Sequence, residues 1–322
     1  MKKQWRNLLG VVLAVMMMVS CTVLPSFAAN TATSVVAPNN VRPTRMVANN
    51  VTIKWDAVVG ATGYTVYRST NKNGAYTPVG NVAGTSYTDV TARGRTSYYY
   101  KVQAKSLLDF LGGAGTSSPT RVIVSPRNPR VVVMGECFAV GVKLFGQGIL
   151  PNGYTTVATG GLTSYGAVHS ACIKQQNGTK VTPMAAANAY NPDRVYLMIG
   201  VNEAKGREPD FTINNFKDLH KRMRAKNPNL VLVVCSLPPR GKTYNHSLAL
   251  ATNEKTRRYN QAYKNYANAN DDVFYFDYTN LVTDREGNLS AEANGGDGCH
   301  MNKPTYQKIT RALVNYDQKT FQ

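Results

Sequence analysis

The sequence of 322 residues predicts two folded domains, an all-β sandwich followed by a three-layer α/β/α sandwich with a parallel sheet. In residues 36–126, apolar and polar residues alternate over short segments, as they do in half-buried strands. From residue 130 onward, short apolar runs alternate with segments of helical length, an order typical of a doubly wound sheet. We therefore expect domains at 36–126 and 130–322.

The first domain is expected to consist of strands separated by turn residues. Alternating segments lie at 51–55, 63–68 and 96–104. This region resembles a fibronectin type III domain, with Trp55 as the early core tryptophan and Tyr98 in the place of the tyrosine-corner residue. The resemblance implies a spacer or binding module without catalytic residues, which could help to position the protein on a polymer.

The second domain is expected to contain buried parallel strands joined by helices. The strands are predicted at 130–134, 195–199, 230–235 and 273–276, and the helices at 212–227 and 253–269. In such sheets, ligands bind at the carboxyl ends of the strands. The residues that follow each apolar run are therefore the first candidates for chemistry.

A nucleophile and a base are found by this rule. Cys137 follows the first strand after Gly135, where a tight turn can lift its side chain into a cleft at the start of a helix. The helix N-terminus and a neighbouring histidine would both favour the thiolate. Near the C-terminus, Asp297 precedes His300 by three residues and can orient its imidazole as a general base.

Oxyanion donors follow two other strands. Gly160 and Gly161 come after an apolar segment at 154–158, and glycine lets a backbone N–H approach an oxyanion closely. Asn202 follows the strand at 195–199, and its side-chain amide could supply a further donor.

These motifs, in this order, resemble the blocks of the SGNH or GDSL hydrolases. The matching residues are Gly135-Glu136-Cys137, Gly161 or alternatively Gly160, Gly200-Val201-Asn202-Glu203, and Asp297 with His300. The resemblance implies an SGNH-like fold and an ester hydrolase. Together with the export signal and the basic charge described below, it leads us to expect a secreted esterase or deacetylase that acts on carbohydrate or the cell envelope. The resemblance also implies catalysis by Cys137, His300 and Asp297. The oxyanion would be held by the N–H groups of Cys137 and Gly161 and by the Asn202 side chain.

The sequence departs from that family at three positions. Glu136 and Glu203 stand where the family has aspartate, which keeps a carboxylate but lengthens its reach. Cys137 stands in the place of the nucleophilic serine. Its attack would give a thioester, which can pass its acyl group to water or to another acceptor such as a sugar hydroxyl. The alternatives are a non-catalytic envelope- or polysaccharide-binding protein and a buried structural cysteine.

The pairing of the cysteines remains open. Four of them, Cys137, Cys172, Cys235 and Cys299, lie in the second domain at wide spacing without a CxxC pair. Because Cys299 adjoins His300, a disulfide between Cys137 and Cys299 could silence the site.

Residues 1–28 predict a signal peptide. Basic residues precede an apolar run at 8–19, and a small-residue pattern ends at Ala28. The run is shorter than the roughly 20 residues that a membrane span needs. We expect a secreted protein, with lipid anchoring at Cys21 as the alternative.

The formal net charge of +19 indicates anionic partners or a well-solvated surface. For an exported protein, an acylated polysaccharide or cell-wall polymer is the expected substrate, with an anionic envelope polymer as a further partner and no nucleic acid. A monomer is expected. His169, His220 and His246 lack ligand partners at metal-binding spacing, so no metal or other cofactor is expected.

Overall fold

In the computed structural model, which describes residues 36–106, 115–244 and 252–321, the first domain has seven strands in two antiparallel sheets. The strands are β1 Arg42–Val47, β2 Asn50–Lys54, β3 Gly63–Ser69, β4 Thr77–Val82, β5 Ser86–Asp89, β6 Thr96–Lys105 and β7 Thr120–Val124. One sheet has the order β1-β2-β5 and the other β4-β3-β6-β7. The fibronectin type III-like sandwich is confirmed. The predicted signal peptide at 1–28 lies outside the described residues.

The aromatic residues of this domain form its core. Trp55 is buried and meets the ring of Tyr64 edge-on, with 5.3 Å between ring centroids. The hydroxyl of Tyr98 accepts a hydrogen bond from the backbone N–H of Arg93 at 3.4 Å, as in a tyrosine corner. These rings therefore hold the two sheets together rather than face a ligand.

The second domain contains a parallel sheet of five strands. They are β8 Val131–Gly135, β9 Tyr154–Ala158, β12 Arg194–Met198, β13 Val231–Cys235 and β14 Val273–Phe276, in the order β14-β13-β12-β8-β9. The remaining strands, β10 Ile173–Lys174 and β11 Lys180–Val181, form a small hairpin. Every residue of β8, β12 and β13 is buried, so both faces of the sheet are covered. The α/β fold is confirmed.

Six α-helices cover this sheet within the described ranges. They are α1 Cys137–Phe145, α2 Ser164–His169, α3 Pro183–Ala189, α4 Pro209–Arg224, α5 Asn253–Asn268 and α6 Lys303–Phe321. Helix α4 begins three residues earlier than predicted, because Pro209 occupies its first turn, where a missing N–H costs nothing. No helix among the described residues has the length and apolar content required to cross a bilayer.

The sandwich docks on the amino-terminal edge of the parallel sheet. Asp193 and Asp272 directly precede β12 and β14. Arg95 of the sandwich donates to Asp193 from Nε at 2.8 Å, and Arg121 donates to Asp272 at 2.8 Å. Ion pairs thus join the domains on the side of the sheet opposite to the strand ends that carry the candidate catalytic residues.

A buried ion pair joins the central strand β12 to the last helix of the second domain. Arg194, at the start of β12, makes two hydrogen bonds of 2.6 Å to the carboxylate of Asp317 on α6. Its third nitrogen donates to Ser125 Oγ at 2.8 Å, after the last strand of the sandwich. The hydroxyls of Tyr154 and Tyr196 also donate to Asp317. All lone pairs of this buried carboxylate therefore have partners.

Candidate active site

The nucleophile candidate stands at the first turn of a helix, as predicted. Strand β8 ends at Gly135, and Cys137 is the first residue of α1. A Cβ at Gly135 would lie 2.3 Å from the carbonyl oxygen of Met198 on the neighbouring strand, so only glycine fits there. Cys137 is partly exposed, which leaves its thiol within reach of a small molecule.

Glu136 fastens this turn to the loop that follows β12. Its fully buried carboxylate accepts hydrogen bonds from the backbone N–H groups of Gly200 at 2.9 Å, Val201 at 2.7 Å and Asn202 at 3.2 Å. Burial raises the pKa of Glu136 to about 8, although these N–H groups lower it. The longer side chain therefore still bridges two of the predicted motifs.

The side chain of Asn202 is turned away from the oxyanion role predicted for it. Its Nδ2 donates to the Glu136 carboxylate and, at 3.0 Å, to the carbonyl oxygen of Leu162. Both amide hydrogens are therefore used within the protein. Donation to an oxyanion would require the Leu162 bond to break, so this role stays a prediction.

The backbone donors predicted for the oxyanion hole are placed more favourably. The N–H of Thr159 donates to the carbonyl of Gly135 at 3.2 Å, which lays the glycine loop beside the turn that carries Cys137. Gly161 has a φ of +70°, a conformation that favours glycine. In the described part of the chain, the N–H of Gly161 has no protein acceptor, so it is free to bind an anion.

Asp297 and His300 form a hydrogen-bonded pair. The distance between His300 Nδ1 and Asp297 Oδ2 is 2.5 Å, and Asp297 Oδ1 accepts the backbone N–H groups of Cys299 and His300 at 2.8 Å each. Partial burial raises the pKa of Asp297, but the hydrogen bonds from His300 and Cys299 outweigh it and lower the value to about 2. The carboxylate therefore stays ionised and fixes the orientation of the imidazole.

The thiol and the imidazole lie on the same edge of the sheet without a direct bond. The ring of Phe138, next to Cys137, is 5.8 Å from the ring of His300 between centroids. Over the residues that the structure describes, no hydrogen bond joins Cys137 Sγ to His300. Proton transfer between them would require the two side chains to approach each other, as is common in apo sites.

The surroundings of Cys137 favour the neutral thiol. Burial raises the pKa of Cys137 to about 12, the Glu136 carboxylate and Cys299 act in the same direction, and Arg240 opposes them. The expectation of a thiolate stabilised by the helix N-terminus is therefore wrong for this resting state. Any nucleophilic attack by Cys137 must be accompanied by removal of its proton.

The raised pKa of Cys137 predicts how the rate of its alkylation depends on pH. With a raised pKa, the thiolate fraction of Cys137 should grow about tenfold per pH unit between pH 7 and 10. Peptide mass spectrometry after brief iodoacetamide treatment would measure that rate. Glutathione, with an ordinary thiol pKa near 8.5, serves as the control and should level off in this range. A plateau at Cys137 below pH 9 would contradict the expectation.

Arg240 is a component of this region that the sequence reasoning did not identify. It is buried, and its Nη1 donates to Cys299 Sγ at 2.6 Å. The side chain of Asn253 holds the backbone of Arg240, since its Oδ1 accepts a hydrogen bond from the Arg240 N–H and its Nδ2 donates to the Arg240 carbonyl at 3.0 Å. The sequence did contain a clue to Arg240, because this residue follows the carboxyl end of a predicted strand, as Cys137 and Asn202 do.

Two clefts among the described residues lie away from Cys137. One of about 510 Å³ lies at the junction of the domains beside Arg42 and Phe274, and one of about 590 Å³ lies beside Lys143 and Tyr190. Cys137 lines neither of them. Side-chain chemistry rather than cleft size therefore identifies the candidate site.

The histidines outside this site have ordinary packing partners. His220 is buried near the carbonyl of Leu230, and His169 stacks on Tyr165 with 4.4 Å between ring centroids. His246 lies outside the described residues. Within the described ranges, no group of three His, Cys, Asp or Glu side chains could hold a metal ion.

Comparison with known proteins adds a family relationship. The sequence profile of the GDSL-like lipase/acylhydrolase family matches residues 144–308. This range contains Gly161, Asn202, Asp297 and His300 and begins after Cys137. Among curated proteins, a poly(3-hydroxybutyrate) depolymerase from Delftia acidovorans is 38% identical over 82 residues, which is 26% of this chain. The match spans only 15% of that relative's length.

Solved structures resemble the two domains separately. A GDSL-like lipase from Bacteroides thetaiotaomicron is 18% identical with a TM-score of 0.47, over 60% of this chain and 89% of that chain. A Fn3-like protein from Clostridium thermocellum is 29% identical with a TM-score of 0.25, over 29% of this chain and 95% of that chain.

Proposed function

Because the chain belongs to the GDSL-like lipase/acylhydrolase family, we propose that it is a secreted ester hydrolase that uses Cys137 as nucleophile. The observation that carries this proposal is the 2.5 Å pair of Asp297 and His300 on the same sheet edge as Cys137. A carboxylate that fixes an imidazole beside a nucleophile is the arrangement that acyl transfer requires.

In the first half of the reaction, the thiol of Cys137 attacks the ester carbonyl while its proton passes to Nε2 of His300. Asp297 stabilises the imidazolium that forms. When the tetrahedral intermediate collapses, the carbon–oxygen bond of the ester breaks and the leaving alcohol takes the proton from His300. The product is a thioester on Cys137.

In the second half, His300 takes a proton from water as the water attacks the thioester, and the carboxylic acid leaves as Cys137 regains its proton. In both halves the oxyanion would rest on the N–H groups of Cys137 and Gly161. One such donor is typically worth about 3 kcal/mol of transition-state stabilisation. Transfer of the same acyl group to a sugar hydroxyl would make the protein an acyltransferase.

We propose an acylated polysaccharide or another polymeric ester of the cell envelope as substrate. The net charge of +19 supports attraction to an anionic polymer. The curated relative is by name a depolymerase of a polyester, which supports a polymeric ester in general. Export through the predicted signal peptide, and action as a monomer, belong to this proposal.

A second candidate is a binding protein that has kept the fold without turnover. The observation in its favour is the thiol of Cys137, whose pKa is raised to about 12 by burial. Without a direct hydrogen bond to His300, this thiol is less prepared for attack than the nucleophile of an active hydrolase.

Hydrolysis of an aryl acetate by the purified full chain distinguishes these candidates. We expect turnover by the wild type, background rates for Cys137→Ala, and wild-type rates for the matched control Cys172→Ala, which removes a thiol outside the site. Equal background rates in all variants would favour the binding protein. A Cys137→Ser variant faster than the wild type would indicate a hydrolase weakened by its cysteine. An acylated product with added sugar would indicate transfer.

A further inference from the structure

A buried guanidinium without a carboxylate partner lies beside two thiols. Arg240 is 1% exposed, and within the described ranges it forms no ion pair and its Nε has no hydrogen-bond partner. The guanidinium lies over the ring of Tyr244, 5.0 Å from its centroid. Because burial of a cation without a counter-ion is costly, a group beside it that can become negative is favoured in its charged form. The group that Arg240 contacts is the sulfur of Cys299 at 2.6 Å.

The two thiols belong to chain segments that face each other. Cys137 is followed by Phe138, and Cys299 by His300, and the two rings are 5.8 Å apart between centroids. The N–H of Gly241 donates to the carbonyl of Gly298 at 2.7 Å, which fixes the Arg240 segment to the Cys299 segment.

Electrostatic interactions also link the side chains of Cys137, Cys299 and Arg240. Burial raises the pKa of both thiols above the ordinary value, and Arg240 opposes this effect by lowering the pKa of each. Cys299 also raises the pKa of Cys137. Both sulfurs belong to partly exposed residues, so a small oxidant can reach them.

We propose that Cys137 and Cys299 form a reversible disulfide when a hydroperoxide oxidises Cys299, with Arg240 as the residue that activates this thiol. The thiolate of Cys299 attacks the peroxide, the O–O bond breaks, and Cys299 becomes a sulfenic acid as the peroxide is reduced to water or an alcohol. The thiol of Cys137 then displaces the sulfenic hydroxyl, its proton leaves with that hydroxyl as water, and the S–S bond forms.

The remaining cysteines are poor competitors for this reaction. Cys235 lies inside β13 and is fully buried, so neither an oxidant nor another thiol reaches it. Cys172 precedes the β10–β11 hairpin, where its N–H donates to the carbonyl of Val181, and among the described contacts none joins it to the segments of Cys137 or Cys299. The pairing should therefore be selective.

Formation of the disulfide between Cys137 and Cys299 does not depend on catalytic turnover. A loss of esterase activity on oxidation, in contrast, rests on the proposed function. Stoichiometric hydrogen peroxide, followed by non-reducing peptide mapping of the full chain, tests the bond alone. We expect one cross-linked peptide that joins Cys137 to Cys299, loss of the mass of two hydrogen atoms, and reversal by dithiothreitol. The matched variant Cys172→Ser should give the same cross-link.

Two variants examine the individual roles. Cys299→Ser should yield no cross-link at Cys137, and Arg240→Met should form the cross-link about tenfold more slowly than Arg240→Lys, which keeps the charge. Oxidation of the wild type without this bond, or with Cys172 as the partner, would overturn the proposal even if esterase activity is found. If the bond forms but no ester is hydrolysed, the disulfide stands and the proposed function fails.

Discussion

His300→Ala is expected to lower kcat/KM for an aryl acetate by about 10³- to 10⁴-fold, because the proton of Cys137 then has no acceptor in the site. His169→Ala is the matched control, since this partly exposed histidine stacks on Tyr165 away from the strand ends. Steady-state kinetics with both variants would measure the difference. A His300→Ala variant that keeps more than a tenth of the activity would exclude His300 as the base.

We expect Asp297, the hydrogen-bond partner of His300, to keep its charge down to low pH and to contribute mainly to kcat. Because the pKa of Asp297 is lowered to about 2, this carboxylate is ionised above that pH in the folded protein, and its support of the imidazole is lost only as pH falls through this value. We therefore expect the acid limb of a rate profile to arise elsewhere. Asp297→Asn should reduce kcat with little change in KM.

Asp317→Ala is expected to lower the free energy of unfolding by about 3–5 kcal/mol, because it leaves the buried guanidinium of Arg194 unpaired. The hydroxyls of Tyr154 and Tyr196 lose an acceptor in the same variant. Urea unfolding followed by circular dichroism would measure the change.

Two further variants test whether the loss of stability in Asp317→Ala comes from the ion pair. Lys319→Ala removes an exposed charge from the same helix and should change stability by less than about 0.5 kcal/mol. An Arg194→Met, Asp317→Leu double variant should recover part of the loss, because no uncompensated charge remains. A loss below 1 kcal/mol in Asp317→Ala would mean that water replaces the carboxylate.

The parts of the fold that the sequence predicts well are those with a continuous physical signal. Strands β8, β12 and β13 are buried on both faces, so each reads as an apolar run, apart from Arg194 at the start of β12. The β10–β11 hairpin was not predicted, because each strand has two residues and no alternation can be detected over that length.

The candidate site likewise contains residues that the sequence predicts and contacts that it does not. Cys137 and His300 follow from strand ends and local spacing, which the chain order reveals, although their catalytic roles remain to be tested. The hydrogen bonds of Asn202 and the contact of Arg240 with Cys299 join residues from distant parts of the chain. Such contacts depend on the positions of the loops in the folded protein, which no pattern in a single sequence reveals.

Docking of the sandwich on the amino-terminal edge has a geometric consequence for a surface-bound molecule. A five-residue strand such as β8 spans ~17 Å, which separates the sandwich from the strand end that carries Cys137. If the sandwich binds the polymer, as proposed for this protein, the candidate site is held about that far above the support. Esters pressed flat against the anchoring layer would be out of reach. Only polymer segments that extend to this height above the support could be hydrolysed. Hydrolysis would then be confined to the outermost layer of the polymer.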